Sequence, residues 1–83
     1  MKLLYFAWLK TRTGRAEEEL SPPEGVATVE ALVDWLKTRG PGYAAAFAEM
    51  RAVRAAVNQE YVGLDHPVRA DDEVAFFPPM TGG

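Results

Sequence analysis

The last eight residues, FFPPMTGG from Phe76 to Gly83, combine residue types that a packed core has little use for. Pro78 and Pro79 can donate no backbone hydrogen bond. Gly82 and Gly83 add no side chain and are costly to order. Such an end is either a frayed terminus or one that must be narrow, extended and free. In the second case two residues without side chains would let the backbone pass through a channel too tight for a Cβ. Pro78-Pro79 would stiffen the exit in an extended form. Six residues at ~3.3 Å each reach about 20 Å, enough to enter a buried site on another protein. Other chemistry-bearing residues are sparse. There is no cysteine, which excludes a thiolate nucleophile, a thiolate metal site and a disulfide frame. His66, the single histidine, precedes Pro67 without triad or metal partners at useful spacing and reads as a turn residue. Glu17 to Glu19 and Asp71 to Glu73 could resemble paired catalytic carboxylates, but they read as a solvated face and a turn. Lys10, Arg12, Arg15, Arg54 and Arg69 are candidates for rim contacts to a partner, where a charge tunes association rate more than affinity.

Eighty-three residues make one small domain. A hydrophobic share of 48% with 25% charged residues is that of a soluble globular protein. The net charge of −3, with basic residues scattered, lacks the electropositive footprint of a nucleic-acid binder. The apolar run of MKLLYFAWLK covers only Leu3 to Leu9, without a small-residue cleavage site, and reads as a first strand rather than a signal peptide. No stretch approaches the ~20 apolar residues of a membrane helix. The expected location is cytoplasmic, with neither nucleic acid nor membrane as a partner.

The elements that must position the tail follow from local patterns. Residues 2–9 read as a strand apolar on both faces, hence central in a sheet. Lys10 to Arg15 reads as a polar loop, and Ala16 to Leu20 as a second strand. Pro22, Pro23 and Gly25 then break the chain. Thr28 is an N-cap, with Glu30 in the first turn, and Val29, Leu32, Val33 and Leu36 form one apolar helical face. Gly40-Pro41 is expected to stop this helix. A short alanine-rich helix is expected over 43–50 and a strand over 55–57. A turn at Asn58-Gln59-Glu60 leads to a short return at Tyr61-Val62. Leu64 to Pro67 and Asp71-Asp72 read as turns, and Glu73 to Phe77 as the last strand. The order is α+β, with the first and last strands, the most apolar, paired at the sheet centre. Alternation with Val74 turns Phe76 inward and Phe77 outward, which makes Phe77 an interface candidate. Trp8 and Trp35 are placed in the core or at its edge.

AAVNQEYV at 55–62 and DHPVRADDEVAFFPPMTGG at 65–83, with KLLYFAWL at the start and TVEALVDWL at 28–36, resemble the small-subunit family of molybdopterin synthase over nearly the whole chain. The resemblance implies a ubiquitin-like β-grasp fold, a mixed sheet with a main helix packed on one face, over residues 1–77, followed by an extended tail at 78–83. It implies a sulfur carrier. An E1-like adenylating enzyme would use Mg-ATP to activate the Gly83 carboxylate, and a sulfur donor protein would convert it to a thiocarboxylate. The loaded tail, Met80, Thr81, Gly82 and Gly83, would insert into the large synthase subunit. There its sulfur would go into the dithiolene of molybdopterin, made from cyclic pyranopterin monophosphate. Phe77, Pro78 and Pro79 would lie at the partner interface. The resemblance implies a heterotetramer, catalytic groups on the partners, and no metal or cofactor held by this chain. Many members carry an Arg-Glu pair after the first strand where this chain has Lys10-Thr11, and Met80 stands where valine is common. A carrier for a thiamine-type pathway, a ubiquitin-like modifier of lysines and a binding module with an inert tail are the alternatives.

Overall fold

The computed structural model describes residues 1–79. The chain runs β1 (Lys2–Tyr5), α1 (Trp8–Thr13), β2 (Glu17–Glu19), α2 (Val29–Lys37), α3 (Pro41–Ala46), a 3₁₀ turn (Met50–Ala52), β3 (Arg54–Val57), β4 (Glu60–Val62) and β5 (Glu73–Phe77).

The five strands form one sheet in the order β2-β1-β5-β3-β4. β1 and β5 pair in parallel, Lys2 opposite Glu73 through Tyr5 opposite Phe76. The other pairings are antiparallel. The first and last strands therefore meet inside the sheet, as their apolar content requires.

Alternation splits the sheet into two faces. Leu3, Tyr5, Val74, Phe76, Ala55 and Val57 point to one side and are buried there with Val29, Leu32, Val33 and Leu36 of α2. α2 begins as its sequence demands. The Thr28 hydroxyl accepts from the Ala31 N–H at 3.1 Å. The next free helix donors are taken by the loop before β5: Val29 N–H bonds the His66 carbonyl and Glu30 N–H that of Leu64. Tyr5, Phe47 and Phe76 form an aromatic centre, with Phe47 edge-on to Phe76 at 5.0 Å and Tyr5 stacked on Phe76 at 6.3 Å. Trp8 and Trp35 pack at the core edge.

Five expectations are corrected. The first strand does not cover 2–9. It ends at Tyr5, Ala7 turns the chain at φ 54°, and α1 occupies Trp8–Thr13, where a polar loop over Lys10 to Arg15 was expected. Leu9 is fully buried from this helix, so the apolar run served two elements, and a run this short carries no period to tell them apart. Gly14, at φ 83°, is the left-handed cap of α1. Gly40-Pro41 does not stop α2, which is capped at Thr38. Gly40 precedes α3 and Pro41 is its first residue, the helical position proline tolerates best. The second short helix therefore covers Pro41–Ala46 rather than 43–50, and Met50 opens a 3₁₀ turn instead. At the next corner Asn58 and Gln59 both have positive φ, the pattern of a two-residue hairpin turn, so Glu60 belongs to β4. A five-stranded mixed sheet grasping one main helix is the β-grasp arrangement.

Candidate functional site

β5 is the strand that delivers the tail, and its start is held firmly. Asn58 Nδ2 donates to Asp72 Oδ1 at 3.0 Å, and the Glu73 N–H donates to Asn58 Oδ1 at 3.0 Å. The Arg69 N–H donates to Asp72 Oδ2 at 2.7 Å. The Asn58 bond, together with that from Arg69, holds the Asp72 carboxyl below its ordinary range. Asp71-Asp72 is thus turn chemistry, as its sequence suggests. At the far end the Phe6 N–H bonds the Phe76 carbonyl at 3.1 Å. Pro78 and Pro79 follow, and neither can extend a ladder.

The two phenylalanines separate as alternation requires. Phe76 has no exposed surface, while Phe77 lies half-buried on the opposite face, its ring 5.4 Å from that of Tyr61. The register puts Leu4, Ala75, Ala56 and Tyr61 side by side across this outer face. Phe6, Tyr61, Ala75, Phe77, Pro78 and Pro79 line an open, mostly apolar hollow there. Phe6 and Tyr61 are 49% and 77% exposed, a poor state for large aromatics unless something covers them. The sequence reading named Phe77, Pro78 and Pro79 but missed Phe6 and Tyr61. Alternation could have found both, with Tyr5 inward implying Phe6 outward and Val62 inward implying Tyr61 outward.

The remaining candidates disperse. His66 sits in its turn and gives its backbone carbonyl to α2. Lys10 borders the outer face beside Leu4 and Phe6. Arg12 donates to the Ala45 carbonyl at 3.2 Å and lies over the Trp8 ring. Arg54 donates to the carbonyls of Arg51 and Val53. Arg15 is engaged by Glu18. The run Glu17 to Glu19 is not uniformly solvated. Glu17 pairs with Lys2 at 3.2 Å on the surface, but the Glu18 side chain is only 6% exposed. Met80, Thr81, Gly82 and Gly83 lie outside the described residues. Among the described residues, no three His, Cys, Asp or Glu side chains gather as a metal site would need, and no helix is long and apolar enough to cross a membrane.

The outer face of the sheet is thus apolar around Pro78 and Pro79, where the described chain ends. The chain is similar to known proteins over its whole length. The ThiS family pattern matches residues 3–83. The molybdopterin synthase sulfur carrier subunit of Escherichia coli (strain K12) is 40% identical over 83 residues, spanning 100% of this chain and 99% of that protein. A solved Pyrococcus furiosus protein, provisionally assigned as molybdopterin converting factor subunit 1, superposes with a TM-score of 0.76 at 34% identity, covering 95% of each chain. The small archaeal modifier protein 1 of H. volcanii superposes with a TM-score of 0.72 at 28% identity, covering 96% of this chain and 97% of that one. The matched pattern reaches from the first strand through the tail, and the chain belongs to the ThiS family of ubiquitin-like β-grasp proteins.

Proposed function

We propose that this chain is the sulfur-carrier subunit of a molybdopterin synthase. The observation that carries the proposal is the apolar outer face around Phe6, Tyr61 and Phe77, from which Pro78-Pro79 lead into a Gly-Gly terminus. The full-length likeness to a sulfur carrier subunit gives it direction. A carboxylate is a poor acyl donor because its oxygen is a poor leaving group. Adenylation by an E1-like enzyme with Mg-ATP converts the Gly83 carboxylate to an acyl-adenylate and releases pyrophosphate. A persulfide sulfur on a donor protein then attacks the acyl carbon and AMP leaves; a thiol cleaves the S–S bond of the resulting acyl disulfide, supplying the two electrons and leaving the thiocarboxylate. The large subunit receives the tail, Met80 to Gly83, in its active site and directs the sulfur into cyclic pyranopterin monophosphate. Two such transfers complete a dithiolene, which suits a heterotetramer with two carriers working in the cytoplasm. This chain supplies the scaffold, the docking face and the reacting carbonyl, while the acids, bases and Mg-ATP belong to its partners.

The test is co-purification with the cognate large subunit, followed by conversion of the pterin precursor by the thiocarboxylated chain. Deleting Gly83, or adding one residue after it, is expected to abolish thiocarboxylation while leaving unfolding unchanged. An extended chain that still sulfurates the pterin, with no processing to re-expose Gly-Gly, overturns the proposal. The likeness to an archaeal modifier protein supports a second reading, attachment to lysines of other proteins. Mass spectrometry separates the two: a carrier gains the mass difference of one sulfur for one oxygen, whereas a modifier appears as a branched conjugate.

A further inference from the structure

β2 is an edge strand of three glutamates, a composition that strands disfavour. Glu17 and Glu19 lie on the outer face, so Glu18 is the strand's one inward side chain, where an apolar residue would ordinarily anchor it. Leu20, just beyond the strand, packs only partly against the core. Around the Glu18 carboxylate four side chains converge from four places in the chain. Tyr5 of β1 donates to Oε2 at 2.8 Å and Tyr43 of α3 donates to the same oxygen at 2.7 Å. Arg39, between α2 and α3, donates to Oε1 at 2.9 Å, and Arg15, just before β2, at 3.2 Å. Arg39 also rests on the rings of Tyr43 and Trp35. Charge-assisted bonds of this kind are stronger than neutral ones, and the site leaves neither carboxylate oxygen unpaired.

We propose that β2 is a strap fastened by Glu18 rather than by apolar burial, and that breaking this clasp releases β2 from β1 as a unit while the rest of the sheet stays closed. The rest of the sheet shares only Tyr5 with the clasp, through its hydroxyl, while the Tyr5 ring packs in the aromatic centre. β1, β5 and β3 are joined by their own ladders and by the Tyr5–Phe47–Phe76 centre, whereas β2 touches the sheet only through β1. Release uncovers the backbone edge of Lys2 to Leu4, an edge open to strand addition. Protonation is one way to break the clasp. Burial alone would raise the Glu18 carboxyl, but the bonds from Arg39, Tyr43 and Tyr5 outweigh it and hold the group below the ordinary carboxylate range. The strap is therefore fastened at neutral pH and loosens as pH falls through that depressed value.

Native-state amide exchange on the full chain tests this. The Leu20 N–H bonds the Met1 carbonyl and the Tyr5 N–H bonds that of Ala16, so both report β1–β2 separation. The N–H groups of Phe6, on the Phe76 carbonyl, and Asn58, on that of Glu73, report the β5 pairings. In Glu18→Ala and Glu18→Gln, protection at Leu20 and Tyr5 is expected to fall at least about tenfold more than at Phe6 and Asn58. Tyr43→Phe, which keeps the carboxylate and its other donors, is expected to give a smaller selective loss, and it serves if the Glu18 variants do not fold. In the unsubstituted chain the selectivity should grow on acidification, and in Glu18→Gln it should not. Equal loss at all four amides, no loss, or a pH profile unchanged in Glu18→Gln overturns the proposal.

Discussion

Phe76 and Phe77 are adjacent, chemically identical and placed on opposite faces, so substituting each separates core from interface. Phe76→Ala should cost about 3–5 kcal/mol in denaturant unfolding, because the cavity opens against Tyr5 and Phe47. Phe77→Ala removes a half-buried ring that touches Tyr61 and should cost about 1 kcal/mol or less. Reversed costs would mean that the inner and outer faces have been misassigned. Glu18 shows the same lesson for charge. Its neighbours Glu17 and Glu19 face water; the strand period turns Glu18 to the other face, and the tertiary fold surrounds it there with two phenols and two guanidiniums. Burial, then Glu18 itself, raises the Tyr5 and Tyr43 phenols above their ordinary range.

At the scale of elements, close approach and capping decide what can be changed. α1 and α3 meet where Gly42 lies against the Arg12 carbonyl, and a Cβ at Gly42 would collide with that backbone oxygen. Gly42→Ala should therefore destabilise by about 1–3 kcal/mol despite alanine's better helix propensity. Thr28→Ala should cost about 1 kcal/mol through the lost bond to the Ala31 N–H. Thermal unfolding of the two variants checks both. A stabilised Gly42→Ala would show that the helices can separate without cost. β5, the start and apolar face of α2, and the presence of a turn at Asn58-Gln59 were legible because each is set by short-range rules: alternation, an N-cap with a 3.6-residue period, and turn chemistry; the end of α2 and the place of Glu60 were not. α1 was not legible, because Leu9 is buried by a helix lying against α3, a contact between segments some thirty residues apart.

On the scale of the whole molecule, the strand order gathers Phe6, Tyr61 and Phe77 from three separate segments onto one face beside the tail exit. If that face docks the large subunit, Phe6→Ser combined with Tyr61→Ser should weaken association by at least about tenfold while leaving unfolding nearly unchanged. Surface plasmon resonance would read the change mainly in the dissociation rate. Unaltered association would place the docking surface elsewhere on the fold.

By itself the sequence determined the helical face of α2 and its cap, the limits of β5, the opposite fates of Phe76 and Phe77, and the tail in which the chemistry is proposed to reside. These depend on neighbours within one turn or a few strand residues. The tertiary structure alone decided where β1 yields to α1, that Glu18 is a buried clasp rather than part of a solvated face, and that Phe6 and Tyr61 complete the surface Phe77 began. Each of these rests on which strands lie side by side in β2-β1-β5-β3-β4. That order is set by long-range burial, which no local window of sequence contains.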